Sequence, residues 1–420
     1  MTALPYPALR PPPERADEKT DVASIYIHFP WCLAKCPYCD FVSYATERED
    51  IDHAGYADAV LREAEARARF LDSRGEARRI ASVFFGGGTP SLWEPRELGR
   101  VLKRLRSLFA VAPDAEITVE CNPTSLDEDR ARALVDAGAN RLSIGTQSLR
   151  AEQLRFLGRL HDPAGAQAAV AAALRAGVPR VSTDLIFGLP GQAPDDAREQ
   201  AAALADTGLR HLSCYQLTIE PGTQFGERKK RGLLPMADDG AVADSFLAID
   251  QTLENYGFCH YEISNYAHPG DESRHNLAYW RGDEYVGLGC GAFGYVQGPR
   301  SNGRGGGVRW RNAIVPKDYV DRTRRVRSDA IGETDGVTIM SEDLSPEALL
   351  RERIMLGLRI AEGVDLGRAA EDLGLDPFTP ERIRMIDVLA ERGRLLREGS
   401  VLRIPRAAWL FADDTAARLF

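Results

Sequence analysis

Residues 24–29 read SIYIHF and are followed at residues 32–39 by CLAKCPYC. The first stretch alternates polar and apolar residues, which predicts a β-strand. Three cysteines come directly after it at a C-x3-C-x2-C spacing: Cys32, Cys36 and Cys39. Phe41 stands two residues beyond the last of them, where a fourth cysteine would extend the series. Thiolates this close together bind an iron–sulfur cluster or a zinc ion, so the loop after the first strand is predicted to be a metal site.

Beyond this loop, short β-rich stretches alternate with amphipathic or alanine-rich helical stretches as far as about residue 220. The candidate strands are residues 24–29, 81–85, 116–121, 141–146, 180–187 and 211–219. Glycines at 138, 177 and 208 each stand where a helix would end, directly before one of these strands. Alternation of this kind is typical of βαβ units in a parallel sheet. Six such strands predict an α/β fold with a partial (β/α)6 barrel over residues 23–220.

The rest of the chain is predicted to form three further parts. Residues 1–22 are proline-rich and charged and are expected to be a disordered leader. Residues 221–340 are expected to extend the barrel, with a helix ending before Gly257, one strand at 258–267 and a glycine-rich loop at 298–312. Residues 345–420 begin with Ser-Pro, a good helix start, and continue as helix, turn and hairpin. They predict a smaller winged-helix-like α+β domain.

Composition and charge exclude several classes of function. The 420 residues carry a formal net charge of −9, whereas general nucleic-acid binders usually have a basic balance. Residues 345–420 contain 12 Lys and Arg against 13 Asp and Glu, so the winged-helix-like pattern does not predict DNA binding. No stretch approaches the ~18 apolar residues of a membrane span, and no membrane anchor is expected. Seven cysteines are an odd number, with three crowded together, which favours a reducing cytoplasm over a disulfide framework.

The residues alone leave two kinds of metal site open. Zinc prefers four ligands in a closed structural site, and His28 would complete such a set. A four-cysteine cluster would need a further cysteine, but the other four stand singly and read as small buried apolar residues. The loop, with Tyr38 before the third cysteine, resembles the signature of the radical S-adenosylmethionine (SAM) superfamily. This resemblance implies a 4Fe–4S cluster on the three cysteines, with the amino and carboxylate groups of SAM on the fourth iron.

Other polar or small residues follow successive strands and, by the same resemblance, are expected to contact SAM. The stretch FFGGGTPS at residues 84–91 resembles a glycine-rich segment that contacts the SAM amino group. Three glycines let the backbone approach a ligand and point N–H groups at a carboxylate. Arginine pairs a carboxylate, and acidic side chains accept hydrogen bonds from ribose hydroxyls. The residues assigned to SAM are Tyr26, Gly87, Gly88, Thr89, Glu120, Gln147, Arg159 and Asp184.

Five stretches together resemble the oxygen-independent coproporphyrinogen III oxidase-like family: YIHFPWC, CDF, FFGGGTPS, SIGTQS and DLIFGLPGQ. Two members of that group are compatible. The dehydrogenase, which decarboxylates two propionates by hydrogen-atom abstraction, carries an additional cysteine at the position of Phe41. The HemW-type haem chaperones end their loop in CDF and carry an HNxxYW motif, which is HNLAYW at residues 275–280 here. The resemblance therefore favours a haem chaperone over the dehydrogenase, and it assigns no residue a catalytic role.

The chaperone resemblance implies a second cofactor and a partner. A neutral imidazole is a good axial ligand for haem iron, which makes His275 the expected haem ligand. Tyr279 and Trp280 are expected to pack on the porphyrin face. The glycine-rich segment that follows departs from the family pattern, because Phe293 stands where a histidine is expected. The cofactors implied are thus a 4Fe–4S cluster, SAM and haem, and the partner is an unidentified haem-acceptor protein, such as a respiratory haemoprotein.

Overall fold

The computed structural model describes residues 21–75, 78–298 and 305–420. Its centre is a twelve-stranded mixed sheet. In chain order the strands are β1 Asp21–Phe29, β2 Arg78–Gly87, β3 Ala110–Cys121, β4 Arg141–Gln147, β5 Arg180–Phe187, β6 His211–Gln216, β7 Cys259–Glu262, β8 Asn265–Ala267, β9 Glu284–Gly289, β10 Phe293–Gln297, β11 Gly307–Asn312 and β12 Thr338–Leu344. Across the sheet they run in the order β12-β11-β10-β9-β1-β2-β3-β4-β5-β6-β8-β7.

The six strands β1 to β6 lie side by side in chain order, and every neighbouring pair is parallel. This confirms the predicted α/β fold with a partial (β/α)6 barrel. Strand β9 adds a seventh parallel strand on the other side of β1, pairing from Ala23 with Glu284 to His28 with Gly289. The sequence pattern did not predict this strand. The last predicted strand is also shorter than expected, since β6 ends at Gln216.

Side chains alternate between the two faces of the parallel sheet. The outer face, against the helices, carries fully buried apolar residues such as Ile25, Ile27, Val83, Phe85, Ile117, Val119, Leu142 and Ile144. The opposite face, called the inner face below, carries mainly polar residues at the intervening positions, among them Ser24, Tyr26, Ser82, Glu116, Glu120, Ser143, Asp184 and Ser213. Apolar burial therefore fixes the strand register, and it leaves the inner face free for polar chemistry.

The helices are α1 His53–Ser73, α2 Pro95–Leu108, α3 Glu128–Asp136, α4 Ala151–Phe156, α5 Pro163–Arg175, α6 Pro194–Ala205, α7 Gln224–Lys230, α8 Asp239–Asn255, α9 Arg274–Trp280, α10 Pro316–Thr323, α11 Pro346–Gly357, α12 Leu366–Glu371, α13 Pro380–Glu391 and α14 Ala412–Ala417. Helices that connect the barrel strands, among them α1, α2, α3, α5 and α6, cover the outer face, whereas α9 packs on the inner-face side. Gly138, Gly177 and Gly208 all have positive φ, at 109°, 73° and 84°. They end α3, α5 and α6 in the way the sequence predicts, because glycine adopts this conformation without a Cβ clash.

Two predictions for the barrel extension are wrong in detail. The expected single strand at 258–267 is a hairpin, in which β7 and β8 run antiparallel and extend the sheet beyond β6. The glycine-rich stretch expected to be a loop contains β11, which pairs with β10 and β12 at the opposite edge. Alternation of Val308, Trp310 and Asn312 with arginines supports that strand, and the neighbouring glycines concealed it. Residues 299–304 of that stretch lie outside the described residues.

The C-terminal part has a hydrophobic core of its own, formed by residues such as Ile354, Leu366, Leu389, Leu402 and Trp409. Helices α11 to α13 surround it with a small antiparallel sheet of β13 Val364–Asp365, β14 Leu396–Glu398 and β15 Val401–Arg403. This arrangement of helices and hairpin confirms the winged-helix-like expectation. The predicted leader falls almost entirely on residues 1–20, outside the described residues, while residues 21 and 22 belong to β1. Within the described ranges, none of the helices has the length and apolar character needed to cross a membrane.

Candidate functional site

The cysteine loop lies at the carboxyl end of β1, where α/β barrels place their chemistry. Each of the three thiols has one polar neighbour from another segment or from the loop itself. The Thr89 hydroxyl donates a hydrogen bond to Cys32 Sγ over 3.4 Å, and Nη1 of Arg159 donates one to Cys36 Sγ over 3.3 Å. Ser43 Oγ lies 3.8 Å from Cys39 Sγ. The thiols are thus gathered on one loop and supplied with donors, which suits sulfur ligands that carry negative charge.

The cysteines are free thiols of intermediate exposure. Burial raises the pKa of Cys32 to about 11 and also raises the pKa of Cys39. Loss of a proton from these thiols therefore needs a metal or another positive charge as compensation. The donor set, three thiols with an arginine guanidinium beside them, fits a cluster that is held by thiolates.

His28 is not placed to complete a zinc site. Its Nε2 lies 2.7 Å from the Val42 carbonyl oxygen and its Nδ1 lies 3.0 Å from the Tyr26 hydroxyl, so both ring nitrogens are engaged. Burial lowers the pKa of His28 to about 4, which keeps the ring neutral. Among the described residues, no three His, Cys, Asp or Glu side chains converge closely enough to hold a single metal ion. The geometry therefore gives the zinc alternative no support.

The glycine run after β2 packs against the cysteine loop. The N–H of Gly88 donates to Phe29 O over 2.7 Å and that of Thr89 to Trp31 O over 2.8 Å. Gly87 N donates to a Glu120 carboxylate oxygen over 3.1 Å. The expectation that these N–H groups point at a ligand carboxylate is therefore wrong. A Cβ at Gly88 would lie 2.6 Å from the Trp31 carbonyl oxygen, so glycine is needed here for close packing.

Glu120 and Asp184 lie on the inner face, Glu120 near the end of β3 and Asp184 in the second half of β5. Burial raises the pKa of Glu120 to about 8, and the charge of Asp184 adds to that shift. Burial also raises the pKa of Asp184 to about 6, and a hydrogen bond with Ser213 offsets part of that rise. Both side chains keep intermediate exposure. Two carboxyl groups that interact on a partly open inner face are suited to accept hydrogen bonds from a polar ligand.

Gln147 and Arg159 bring a third strand end to the same region. Gln147 has φ of 66°, and it is the only non-glycine residue in the described ranges with positive φ. A side-chain-bearing residue in this conformation carries about 1–2 kcal/mol of strain, which is commoner at ligand sites than elsewhere. Arg159 Nη2 donates to Gly145 O over 3.0 Å while its other Nη atom reaches Cys36. The structure thus places the predicted SAM residues on or directly after five neighbouring strands, β1 to β5, with Thr89 and Arg159 in contact with the cysteines.

His275 lies at the other end of the barrel, on α9. Its side chain is only 3% exposed, and its ring stacks on Phe84 with 4.7 Å between centroids. Nδ1 lies 2.9 Å from the Ser82 hydroxyl, whereas Nε2 is buried and has no hydrogen-bond partner within the described part of the chain. Burial lowers the pKa of His275 to about 3, so the imidazole is neutral. Its role as haem ligand stays a prediction, and no pattern in the sequence indicates that this ring is buried.

The other residues predicted to meet haem have separate surroundings. Tyr279 packs between His275 and Tyr285, at centroid distances of 5.0 and 4.4 Å. Trp280 lies instead beside Arg359 of the C-terminal part, with the guanidinium carbon 5.6 Å from the ring centroid. The structure therefore does not place Trp280 on a common surface with His275. Phe293 is 37% exposed at the start of β10.

Sequence reasoning missed Glu116, which holds α9 in place. Its carboxylate accepts the N–H groups of Arg274 and His275, each over 3.1 Å, and pairs with Arg180 over 2.6 Å. Although burial favours the neutral acid, Arg141 and Arg180 hold the pKa of Glu116 below its usual value. The available signal is that Glu116, Thr118 and Glu120 alternate with apolar residues, which puts three polar side chains on one face of β3. This pattern predicts a strand but does not indicate which of them holds a helix.

Comparison with known families agrees with the fold and the cysteine loop. Residues 26–205 match the family model described as the radical SAM superfamily. Residues 344–411 match the model of the HemN C-terminal domain. These two matches cover the parallel barrel strands before β6 and most of the C-terminal part. They define the protein as a radical SAM protein with a HemN-type C-terminal domain.

Relatives narrow the class further. Over 388 residues the chain is 35% identical to heme chaperone HemW of Mycobacterium tuberculosis, covering 90% of this chain and 93% of that one. It is 42% identical over 276 residues to heme chaperone HemW of Escherichia coli, covering 66% and 71%. The chain therefore belongs to the HemW family. The solved structure of coproporphyrinogen III oxidase (HemN) from Escherichia coli superposes with a TM-score of 0.76, covering 96% of this chain and 91% of that one at 21% identity, which shows the shared fold alone.

Proposed function

We propose that this protein is a haem chaperone, which binds haem together with a SAM-ligated 4Fe–4S cluster and passes the haem to an acceptor protein. Relatives that carry the name heme chaperone HemW support this choice. Phe41 supports it too, because the dehydrogenase resemblance calls for a cysteine there and the Phe41 side chain is 59% exposed. Seven free thiols suit a reducing compartment, and we place the protein in the cytoplasm.

In this proposal Cys32, Cys36 and Cys39 hold the cluster. A bound cluster supplies an open iron for SAM and the capacity to pass one electron. Arg159 stabilises the thiolate of Cys36 by its charge. Thr89 orients Cys32 through its hydroxyl, and the tight packing of Gly88 on the loop keeps the three sulfur atoms in place.

The SAM contacts follow from the grouping around the loop. Glu120 and Asp184 accept hydrogen bonds from the hydroxyl or amino groups of the ligand, and Arg159 pairs its carboxylate. Tyr26 is fixed by its hydrogen bond with His28, and its ring lies beside Phe84. The remaining contacts come from Gly87, Gly88, Thr89 and Gln147. Cleavage of SAM is not required for this role.

His275 carries the haem part of the proposal. A neutral imidazole with Nδ1 held by a hydroxyl and Nε2 left unpaired has the arrangement that proteins use to orient a metal ligand. An unpaired buried nitrogen is unfavourable unless a ligand uses it. Because the ring is buried, haem must reach Nε2 from the inner face or by displacing α9. The single observation that carries the proposal is this free, buried Nε2 on the HNxxYW helix.

The test is a titration with haem followed by absorption and by resonance Raman spectroscopy, for the wild type and for His275→Ala. We expect saturation at one haem per chain and a histidine–iron vibration that His275→Ala loses. His268→Ala is the matched control, because His268 also packs against a phenylalanine, with 4.4 Å between its ring centroid and that of Phe258. That control should bind haem as the wild type does.

Two results would contradict the chaperone. Absence of specific haem binding in the wild type would remove its main support. SAM-dependent release of carbon dioxide from coproporphyrinogen under anaerobic conditions would favour the dehydrogenase instead. The haem acceptor is identified by its chemistry as an apo-haemoprotein, and transfer is measured by the gain of its haem spectrum.

A further inference from the structure

Phe293 and Arg311 face each other across β10 and β11 and point to the inner face. They form a directly paired position in the register. The next pair, Gly294 and Trp310, points to the opposite face, where Trp310 packs under Arg67 of α1 at 5.2 Å from guanidinium carbon to ring centroid. Side chains on adjacent paired positions alternate between faces. Phe293 and Arg311 therefore lie on the face that also carries Tyr26 and His28.

Among the residues that the structure describes, Arg311 has no acidic partner for its charge. Its guanidinium carbon lies 4.9 Å from the Phe293 ring centroid. Across the described ranges, no carboxylate or other acceptor bonds this guanidinium, and its Nε is buried without a partner. Arg309, two residues earlier on the same face, contrasts with it by pairing with both Glu342 and Glu352. A half-buried arginine without an acceptor is unfavourable unless a ligand supplies a carboxylate or phosphate.

The position of this pair relative to the cysteine loop is set by glycines. Gly287 of β9 is the in-register neighbour of Tyr26, and a Cβ there would lie 1.7 Å from the Phe293 carbonyl oxygen. The chain at Phe293 thus crosses directly over Gly287, next to Tyr26. Gly291 packs on Val42, just after the third cysteine. A Cβ added at Gly291 would lie 3.0 Å from the Val42 side chain. The charge of Arg311 also reaches His28, where it adds to burial in lowering the pKa of that ring.

From this placement we infer that Phe293 and Arg311 form a subsite for the bound tetrapyrrole, with the macrocycle against the Phe293 ring and a propionate carboxylate on the Arg311 guanidinium. The subsite rests on the proposed function, since it needs haem to bind. A planar guanidinium pairs a carboxylate through two parallel N–H bonds, and an aromatic ring packs on a flat macrocycle. Phe293 thereby contributes a surface at the position where the family pattern has a histidine.

SAM also carries a carboxylate, so the experiment separates the two sources. Haem and its dimethyl ester, in which both propionates are blocked, are titrated into the wild type and Arg311→Gln. We expect Arg311→Gln to weaken haem binding by roughly tenfold or more, as for loss of a charge-assisted bond, and to leave the ester unchanged. Arg311→Lys should recover part of the loss. SAM binding, measured by equilibrium dialysis on the reconstituted protein, should not change.

Arg397→Gln is the matched control, because Arg397 also lies over a phenylalanine ring, 4.3 Å from the centroid of Phe378, but in the C-terminal part. It should bind haem as the wild type does. Equal affinity of wild type and Arg311→Gln for haem would overturn the subsite while leaving the chaperone standing. A selective loss of SAM binding in Arg311→Gln would overturn it in favour of a SAM carboxylate site. If the wild type binds no haem, both the subsite and the proposed function fail.

Discussion

The two ends of the barrel carry functional motifs in opposite environments. At the carboxyl ends of the strands, the cysteine loop and the residues around it keep intermediate exposure, and two carboxyl groups share the inner face. Near the amino ends, the HNxxYW helix is sealed by Glu116, and its histidine is 3% exposed. A short motif thus predicts which atoms are available for chemistry, but it does not predict whether a ligand can reach them. The end of the barrel at the carboxyl ends of the strands is open to a small ligand. At the opposite end, a ligand must displace α9 or enter through the inner face.

The largest expected effect is at the open end. Replacing Cys32, Cys36 or Cys39 by Ala removes one of three protein ligands, and we expect anaerobically reconstituted protein to lose its iron and sulfide. The measurement is iron and sulfide per chain together with the absorption spectrum. Cys290→Ala is the control, because Cys290 is fully buried and its thiol donates to the Ile314 carbonyl oxygen. A cluster that survived in all three variants would refute the ligand assignment.

At the closed end, Glu116→Gln should destabilise the fold by about 3 kcal/mol, because it breaks a buried charge pair and leaves Arg180 with only its longer pair to Asp271, over 3.8 Å. Denaturant unfolding measures this, and hydrogen exchange should show faster exchange in α9. Glu199→Gln removes an exposed partner of Arg150 and should change the unfolding free energy by less than about 0.5 kcal/mol. If Glu116→Gln changed the unfolding free energy as little as Glu199→Gln does, the position of α9 would not depend on Glu116.

An effect of intermediate size is expected on how the unfolding free energy depends on pH. The pKa of Glu120 is raised from 4.5 to about 8 in the folded protein, so the folded state holds more protons than the unfolded state between these values. The unfolding free energy should therefore fall as pH rises from 4.5 to 8 and level off above it. Glu120→Gln should reduce that slope and stabilise the ligand-free protein at pH 8 by on the order of 2 kcal/mol.

Urea unfolding at pH 6 and pH 8 measures this difference. The exposed Glu152 supplies the control, since Glu152→Gln should leave the slope unchanged. A wild-type protein whose stability does not fall over this range would contradict the buried, raised-pKa carboxyl group.

The smallest effect is expected at Phe41. Because this side chain is 59% exposed, Phe41→Cys should change the unfolding free energy by less than about 0.5 kcal/mol. The added thiol should not displace a cluster ligand, and iron per chain should match the wild type. No decarboxylation of coproporphyrinogen should appear. Gain of that activity would show that one side chain separates the two functions of this fold.

The parallel core was predictable from local patterns. Six β-rich stretches became β1 to β6 in order, since alternating apolar residues such as Ile25 and Ile27 must face the helices. The cysteine loop was predictable because its three cysteines stand within eight consecutive residues. Glu120, Gln147 and Asp184 could be brought together because the carboxyl ends of parallel strands share one edge of the sheet.

What the sequence did not predict depends on contacts between distant segments. β9 joins β1 only through tertiary pairing, and its glycines conceal a strand pattern. The burial of His275 depends on Ser82 and Glu116, which are more than a hundred residues away in sequence. Arg311 is unpaired because no acceptor from another described segment lies near its guanidinium, and no local sequence pattern can predict that.

The most direct test of the account compares Cys36→Ala and His275→Ala in one experiment, with cluster content and haem affinity measured on the same reconstituted samples. The account predicts a double dissociation: Cys36→Ala loses the cluster and still binds haem, whereas His275→Ala keeps the cluster and binds haem more weakly. Loss of both cofactors in both variants, with the fold intact by circular dichroism, would contradict the assignment of separate residues to the cluster and to haem.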